Sequence, residues 1–197
     1  MSKNGVDQGK RRFLLAASSI AGGVAVVATA TPFVLSMLPS AKALAAGAPV
    51  EVDISKIEPG SYVTVAWRGK PVWVTYRTQA MLDQLPKNDP NLRDPDSNES
   101  EQPSSCKNVY RSIKPQYLVH VNICTHLGCA PLLRKQVGDP TLGASWPGGF
   151  FCPCHGSRYD MSVRVFKDVP APLNMVIPPY AYKTDTRVII GQDKASS

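Results

Sequence analysis

Two short clusters of cysteine and histidine are the part of this sequence best suited to chemistry. The first cluster reads CTHLGC over residues 124–129, and the second reads CPCHGS over residues 152–157. The chain has five cysteines and three histidines in all, so most of them fall within these two clusters. Thiolate and imidazole both bind transition metals, and cysteines clustered with histidines predict a metal or redox centre.

Each cluster offers one cysteine and one histidine at short spacing. Cys124 and His126 can lie on neighbouring positions of one turn, and Cys152 and His155 can lie similarly on a second turn. Two loops that meet at their tips could therefore surround one metal centre, each giving one thiolate and one imidazole.

The remaining cysteines differ in their surroundings. If the two loops converge, Cys129 and Cys154 come close to one another and can form a disulfide across the loop tips. Such a bond stabilises a protein by roughly 3 to 4 kcal/mol in the chain-entropy model, and it persists in an oxidising compartment. Cys106 has no clustered partner and is interpreted as an incidental thiol.

A structural zinc site is the alternative that uses the same ligand types. Four of the clustered side chains could supply a tetrahedral site. Zinc sites rarely need both of these cysteine and histidine patterns together, so the zinc interpretation is the weaker one. Colour separates a zinc site from an iron-containing redox centre, because a zinc protein is colourless and an iron-containing centre absorbs visible light.

The elements that must hold these loops are short β-strands. Residues 68–70 predict a hairpin turn, residues 78–85 predict a short helix capped by Thr78, and the polar residues 87–107 predict a surface excursion. The head is therefore expected to be all-β with little helix. Alternating runs rich in Val, Ile, Tyr and Trp predict strands at residues 50–54, 62–67, 72–76, 117–123, 161–166 and 187–190.

An apolar run without charges, residues 13–38, lies near the N-terminus. It is long enough to cross a hydrocarbon core of about 30 Å as a helix. Lys10, Arg11 and Arg12 precede it, and this charge bias predicts a cytoplasmic N-terminus with the remainder across the membrane. The same basic residues resemble a twin-arginine export signal, and that pathway moves folded proteins such as those with an assembled cluster.

The apolar run can also be interpreted as a cleaved signal peptide, with a small-residue site at residues 41–43. Its length exceeds a typical signal core, which favours a retained anchor. The predicted domains are a cytoplasmic N-terminus with the export signal at 1–12, a transmembrane anchor at 13–39, a flexible tether at 40–49 and a head at 50–197.

Composition limits the function classes. Hydrophobic residues make up 43% and charged residues 19% of the 197, which indicates a globular protein and neither a disordered nor a polytopic one. The net charge of +7 is spread along the chain without a nucleic-acid-binding module, so no nucleic acid partner is expected. The charge is interpreted as serving solubility, membrane proximity and partner docking.

The paired motifs resemble those of the Rieske iron-sulfur proteins, in which two separate patterns occur in this order. Residues 67–72, WRGKPV, resemble the early strand and turn of the Rieske subunit of ubiquinol:cytochrome c reductase, the cytochrome bc1 complex. Residues 170–173, PAPL, resemble its proline-rich loop. The resemblance implies an antiparallel β-sandwich head with a small cluster-binding subdomain, whose loops at 124–129 and 152–159 hold one [2Fe-2S] cluster.

By this resemblance, Cys124 and Cys152 bind one iron, and His126 and His155 bind the other. Histidine ligation in the family raises the reduction potential to about −150 to +300 mV. An imidazole on iron retains a nitrogen whose protonation is linked to the redox state, and this role is expected of both histidines. His155 is expected to be exposed, to accept a hydrogen bond from a quinol hydroxyl and to take the proton of that hydroxyl.

Four further residues near the motifs or in the strands are also given expected roles. Ser157 and Tyr159 match positions where the family donates hydroxyl hydrogen bonds to a cluster sulfide and a ligand sulfur, although without the family they would be ordinary loop and strand residues. Leu127 is either a packing residue or an apolar shield at a docking surface. His120 is interpreted as a strand histidine with no metal role.

The resemblance also implies a function and its partners. The chain would carry one electron from ubiquinol to a membrane-bound c-type cytochrome, beside a cytochrome b subunit, within a dimeric enzyme complex that translocates protons. Its head would be periplasmic, and its anchor would contact the lipid of the bacterial inner membrane. Two alternatives are the small subunit of arsenite oxidase, which would have no quinol site, and the ferredoxin of an aromatic-ring dioxygenase, which is cytoplasmic and lacks the extra cysteine pair.

Overall fold

The computed structural model describes residue 5 and residues 7–193. Part of the predicted cytoplasmic N-terminus, residues 1–4 and 6, lies outside the described residues. The chain divides into two compact units, Met1–Ala45 and Ala46–Ser197. The first unit is helical, and the second contains all the strands of the described chain.

The first unit contains helix α1, Gln8–Ser36, which begins before the uncharged run because Asp7 caps it. The Asp7 carboxylate accepts hydrogen bonds from the backbone N–H groups of Gly9 and Lys10. None of the helix's residues is buried, and its best window has a mean hydropathy of 2.0. By length and composition, α1 can cross a membrane, and a signal sequence has the same properties.

Helix α1 contains a proline near its C-terminal end. Pro32 lies inside the helix, which continues to Ser36. A short second helix, α2 at Ala41–Ala46, follows within the predicted tether. The flexibility of residues 40–49 therefore stays a prediction.

The second unit consists of three antiparallel sheets of three strands each. The strand orders are β1-β9-β8, β2-β3-β4 and β5-β6-β7, and the third sheet carries the second cysteine loop. The all-β prediction for the head is confirmed. The strands are β1 Val50–Asp53, β2 Tyr62–Trp67, β3 Lys70–Tyr76, β4 Tyr117–Val121, β5 Leu132–Arg134, β6 Gly149–Phe151, β7 Arg158–Tyr159, β8 Tyr180–Thr184 and β9 Arg187–Ile190.

The sheet β2-β3-β4 forms much of the core. Strand β2 is half-exposed and alternates in burial, whereas β3 is buried at four consecutive residues because it is the central strand. The predicted hairpin joins the two strands through Arg68 and Gly69, whose φ angles of 50° and 71° suit the tight turns that match strand twist. This sheet leads directly from β4 into the first cysteine loop.

The predicted strand at residues 161–166 is wrong, although its last two residues, Val165 and Phe166, form isolated antiparallel bridges to Tyr159 and Leu92. The strand β7 ends before it, and the chain turns around Asp160, whose carboxylate accepts hydrogen bonds from the backbone N–H groups of Ser162 and Arg164. Val163 adopts a φ of 54°, which a strand does not allow. This turn buries the alternating apolar residues, so their spacing in the sequence resembles that of a strand although the segment is not one.

Helix α3, Gln79–Asn88, confirms the predicted short helix, and the Thr78 hydroxyl caps it by accepting from the Met81 N–H. The surface excursion predicted at residues 87–107 is in part wrong, because Leu92 and Cys106 are fully buried. Buried polar groups anchor this segment to the head. The Asp94 carboxylate, for example, accepts hydrogen bonds from Asn98 N–H and from the Ser100 hydroxyl.

Candidate metal centre

The first cysteine loop follows β4 and folds as a compact turn. The Gly128 N–H donates to the Cys124 carbonyl at 3.0 Å, and the Cys124 N–H donates to the Cys129 carbonyl at 2.8 Å. Gly128 adopts a φ of 85°, which an L residue with a side chain rarely adopts. The backbone therefore holds the cysteine and histidine side chains of this loop around one tip.

The second loop joins β6 to β7 and repeats the same hydrogen-bond pattern. The Gly156 N–H donates to the Cys152 carbonyl at 3.0 Å, and the Cys152 N–H donates to the Ser157 carbonyl at 2.8 Å. Gly156 has a φ of 78°. The two loops are therefore close copies in backbone form, although their cysteine and histidine spacing differs.

A disulfide between Cys129 and Cys154 joins the two loops, as the sequence predicted. The cysteines are 25 residues apart in the chain, and their Cα atoms are 6.6 Å apart. The Sγ atoms of both lie within 4.8 Å of the Cys152 Sγ. The bond therefore closes directly beside the predicted ligands.

The other two cysteines of the loops, Cys124 and Cys152, are free thiols and are buried. Burial raises the pKa of the Cys152 thiol, and the neighbouring Cys124 thiol raises it further. A thiolate at this position therefore needs a compensating positive charge. A bound metal supplies that charge, because a coordinated thiol is deprotonated by the metal.

The two histidines of the loops meet at the tip. The ring centroids of His126 and His155 are 4.7 Å apart, with an interplanar angle of 85°. His155 is exposed, whereas the Nδ1 atom of His126 is buried and has no hydrogen-bond partner among the described residues. An unpartnered buried nitrogen is costly, and a bond to a metal would satisfy it. The donor set of two thiols and two imidazoles fits a mixed nitrogen and sulfur centre.

Two buried hydroxyl groups support this site. The Tyr159 oxygen lies 3.2 Å from the Cys124 Sγ, and burial raises the pKa of Tyr159, so its hydroxyl keeps the proton that it can donate to sulfur. The Ser157 oxygen accepts a hydrogen bond from the Ala171 N–H at 3.1 Å. That bond leaves the Ser157 hydroxyl hydrogen for another acceptor. The Tyr159 contact with the Cys124 sulfur is present, and donation by the two hydroxyls to a cluster sulfide and a ligand sulfur stays a prediction.

Sequence reasoning missed Thr125. Its hydroxyl donates to the Leu173 carbonyl at 2.7 Å, and its backbone N–H donates to the Tyr159 oxygen at 3.2 Å. Thr125 therefore connects the first loop to the proline-rich segment and to Tyr159. The only sequence signal was a hydroxyl residue placed between two predicted ligands.

Three further residues singled out in the sequence, Cys106, His120 and Leu127, have different surroundings. Cys106 is fully buried in the core, and burial raises the pKa of its thiol. His120 lies in β4 as predicted, between Trp73 and Phe150, and burial lowers its pKa to about 3. At the tip, Leu127 exposes 71% of its surface.

Comparison with known proteins identifies the class. Residues 49–179 match the Rieske [2Fe-2S] domain family. Residues 1–40 match the family described as the ubiquitinol-cytochrome C reductase Fe-S subunit TAT signal. The fold and the site therefore define a Rieske iron-sulfur protein whose cofactor is a [2Fe-2S] cluster, and which carries an export signal on an apolar helix long enough to anchor it in a membrane.

Relatives narrow the family further. The chain is 56% identical over 197 residues to the ubiquinol-cytochrome c reductase iron-sulfur subunit of Allochromatium vinosum, covering 100% of this chain and 95% of the relative. It is 44% identical over 191 residues to that of Rhodospirillum rubrum, covering 96% of each. The chain belongs to the family of ubiquinol-cytochrome c reductase iron-sulfur subunits. A chain of a hyperthermophilic respiratory complex III matches 90% of this chain and 98% of its own length, with a TM-score of 0.47 and 24% identity.

Proposed function

We propose that this chain is the one-electron carrier of a cytochrome bc1 complex, taking an electron and a proton from ubiquinol and passing the electron to a c-type cytochrome. The observation that carries the proposal is the exposed imidazole of His155 in contact with His126, beside two buried free thiols. Cys124 and Cys152 would hold one iron, and the two histidines would hold the other.

The bound cluster supplies uptake and release of one electron, at a potential that histidine ligation makes more oxidising. The protein's own part is to handle the proton. His155 is exposed, so its ring can accept a hydrogen bond from a quinol hydroxyl and then take that proton. His126 is only partly exposed, and it serves as the second imidazole linked to the redox state.

The buried hydroxyl groups tune the same site. An added electron makes the ligand sulfur more negative, and a hydrogen bond from the Tyr159 hydroxyl stabilises that state more than the oxidised one. Ser157 has its hydroxyl hydrogen available for the same purpose, because its oxygen already accepts from Ala171. Both residues would raise the potential, which helps the centre to draw an electron from quinol.

The proposed location follows from the N-terminal unit. The first turns of α1 contain Lys10, Arg11 and Arg12, and basic residues at one end of a membrane helix favour the cytoplasmic side. The head would then lie in the periplasm, with α1 in the lipid of the bacterial inner membrane. Residues 40–49 would act as the tether on which the head moves between the cytochrome b subunit and a membrane-bound c-type cytochrome, in a dimeric complex.

Electron paramagnetic resonance of the reduced protein in membranes tests the proposal. We expect a [2Fe-2S] signal of the histidine-ligated type that changes when a quinol-site inhibitor is added. His155→Ala should abolish that signal. A signal that does not change when the inhibitor is added would contradict contact between the head and quinol. It would favour an electron carrier without a quinol site, as in arsenite oxidase. A colourless protein without iron would contradict the cluster itself.

A further inference from the structure

A groove leads away from His155 along one side of the head. Two neighbouring cavities of about 510 and 250 Å³ share Asn91, Arg158 and Phe166 as lining residues. The larger cavity reaches His155, and Lys167 lies on its wall. We call the surface formed by Asn91, His155, Arg158, Phe166 and Lys167 the His155 groove.

The walls of the His155 groove are held by the backbone. The Phe166 N–H donates to the Arg158 carbonyl at 3.1 Å, and the Lys167 N–H donates to the Asn91 carbonyl at 2.8 Å. Arg158 and Tyr159 are consecutive in β7, so their side chains leave opposite faces of the strand. The fold that directs Tyr159 toward Cys124 therefore directs Arg158 into the groove.

The groove has unpaired positive charge. Neither Arg158 nor Lys167 forms an ion pair with any described residue, although the Lys167 ammonium donates to the Pro90 carbonyl. One carboxylate, Asp168, also lines the larger cavity, and it too has no ion pair among the described residues. The nearby Arg93 adds a further positive charge beside Val169. The cations thus outnumber the carboxylate on this side of His155.

The two redox partners, ubiquinol and the c-type cytochrome, differ in the charge that they can present to the His155 groove. Ubiquinol is neutral and lipid-soluble, and burying a guanidinium against an apolar partner costs free energy. The exposed Leu127 side chain offers an apolar contact at the same tip. The haem domain of a c-type cytochrome lies in water, where a complementary charged surface speeds association and aligns the partners.

We propose that the His155 groove docks the electron-accepting c-type cytochrome through carboxylates on that protein's surface, with Arg158 as the principal contact and Lys167 as the second. The proposal rests on the proposed function. A guanidinium matches a carboxylate with two parallel hydrogen bonds, which would align the acceptor beside His155. The docking is transient because exposed charge pairs are weak.

The test uses the purified complex with the full-length chain. After rapid mixing with ubiquinol, reduction of the b-type and c-type haems is followed separately at low and high ionic strength. We expect Arg158→Gln to slow c-type haem reduction by about two- to five-fold at low salt, which is the range for one exposed charge pair. Lys167→Gln should act less strongly. Arg158→Lys should give a rate between those of Arg158→Gln and the parent, because it keeps the charge and loses the paired hydrogen bonds.

Two controls isolate docking. Lys56→Gln removes an exposed cation that lies between β1 and β2 and forms no ion pair with described residues, so it should not change the rate. The cluster potential is titrated in every variant, and we expect it to match the parent. The difference between Arg158→Gln and the parent should disappear at high salt, where charges are screened.

Three outcomes would overturn the proposal. The first is an unchanged rate of c-type haem reduction in Arg158→Gln. The second is slowing that persists at high salt or that a shifted cluster potential explains. The third is equal slowing of b-type haem reduction in the first turnover. The last outcome would assign the groove to the quinol side. If the parent complex reduces no c-type haem with quinol, the proposed function fails instead, so the two failures are distinguishable.

Discussion

The Tyr159 oxygen lies 3.2 Å from the Cys124 Sγ, across a separation of 35 residues in the chain. The same oxygen accepts the Thr125 N–H, so the backbone of the first loop fixes the direction of the phenol. A hydroxyl that has accepted one hydrogen bond is free to donate its own hydrogen to sulfur. This contact couples β7 to the first loop and should influence the redox potential.

Tyr159→Phe should lower the cluster potential. If the hydrogen bond favours the reduced state by about 1 kcal/mol, its loss corresponds to about 40 mV for one electron. A potentiometric titration of the full-length chain measures the shift. Tyr62→Phe is the control, because Tyr62 stacks on Trp73 in another sheet. An unchanged midpoint in Tyr159→Phe would remove the tuning role.

The disulfide should protect the cluster from loss. Replacing both Cys129 and Cys154 by Ser removes a link between residues 25 apart, which the chain-entropy model values at roughly 3 to 4 kcal/mol. We expect faster cluster loss on heating, measured by iron content and visible absorption. Cys106→Ala is the control, because it removes a buried free thiol outside the two loops and keeps the bond. Equal cluster retention in the double variant and the parent would contradict this role.

His120 should make the head less stable in acid. Its pKa is lowered to about 3 by burial and, to a smaller extent, by Arg111 and Arg77, whereas Asn122 raises it. In the unfolded chain the pKa is about 6.5, so between these values only the unfolded state binds the proton. The free energy of unfolding therefore falls by about 1.4 kcal/mol for each pH unit below 6.5, down to about pH 3.

His120→Phe tests this pH dependence. A phenyl ring can replace the imidazole between Trp73 and Phe150 without a titrating group. Thermal unfolding of the detergent-solubilised protein, followed from pH 8 to pH 4, should show a smaller loss of stability in the variant. Parallel pH profiles for parent and variant would mean that His120 does not titrate in this way.

Gly149 should tolerate no side chain. A Cβ atom there would lie against the Tyr159 carbonyl oxygen, far inside van der Waals contact, because β6 and β7 approach closely. We expect Gly149→Ala to destabilise the head by about 3 kcal/mol or more and to disturb the Tyr159 contact with Cys124. Denaturant unfolding and cluster content are the measurements.

Gly143→Ala provides the matched control for that substitution. Gly143 has a φ of 98°, so alanine is strained there, but a Cβ would have no neighbour within 4 Å. Its cost should be limited to the backbone strain, about 1 kcal/mol. If the two variants lose equal stability, crowding against Tyr159 is not the cause.

Much of the framework could be predicted from the sequence because the local signals were strong. Strands β2 and β9 have the predicted bounds, since β-branched residues dominate both and aromatic residues mark the two ends of β2. Strands β5, β6, β7 and β8 were missed. The first three have three residues or fewer, too few to show a period, and β6 begins at a glycine. Strand β8 was missed although it has five residues.

The site also has parts that the sequence predicts and parts that it does not. The loop motifs could be predicted because their cysteines and histidines are close together in the chain. The contacts of Thr125 and the placement of Arg158 in the His155 groove could not be predicted, because each depends on segments far away in the chain. Thr125 contacts Leu173, 48 residues later, and Arg158 shares its groove with Asn91.

The shared backbone form of the two loops has a consequence for their chirality. Gly128 and Gly156 both have positive φ, yet a Cβ built on either would meet nothing within 4 Å. Handedness and not crowding therefore reserves these positions for glycine. A D-alanine, introduced by chemical ligation, should fit at either tip where L-alanine would strain the chain, since the mirror-image residue prefers that conformation.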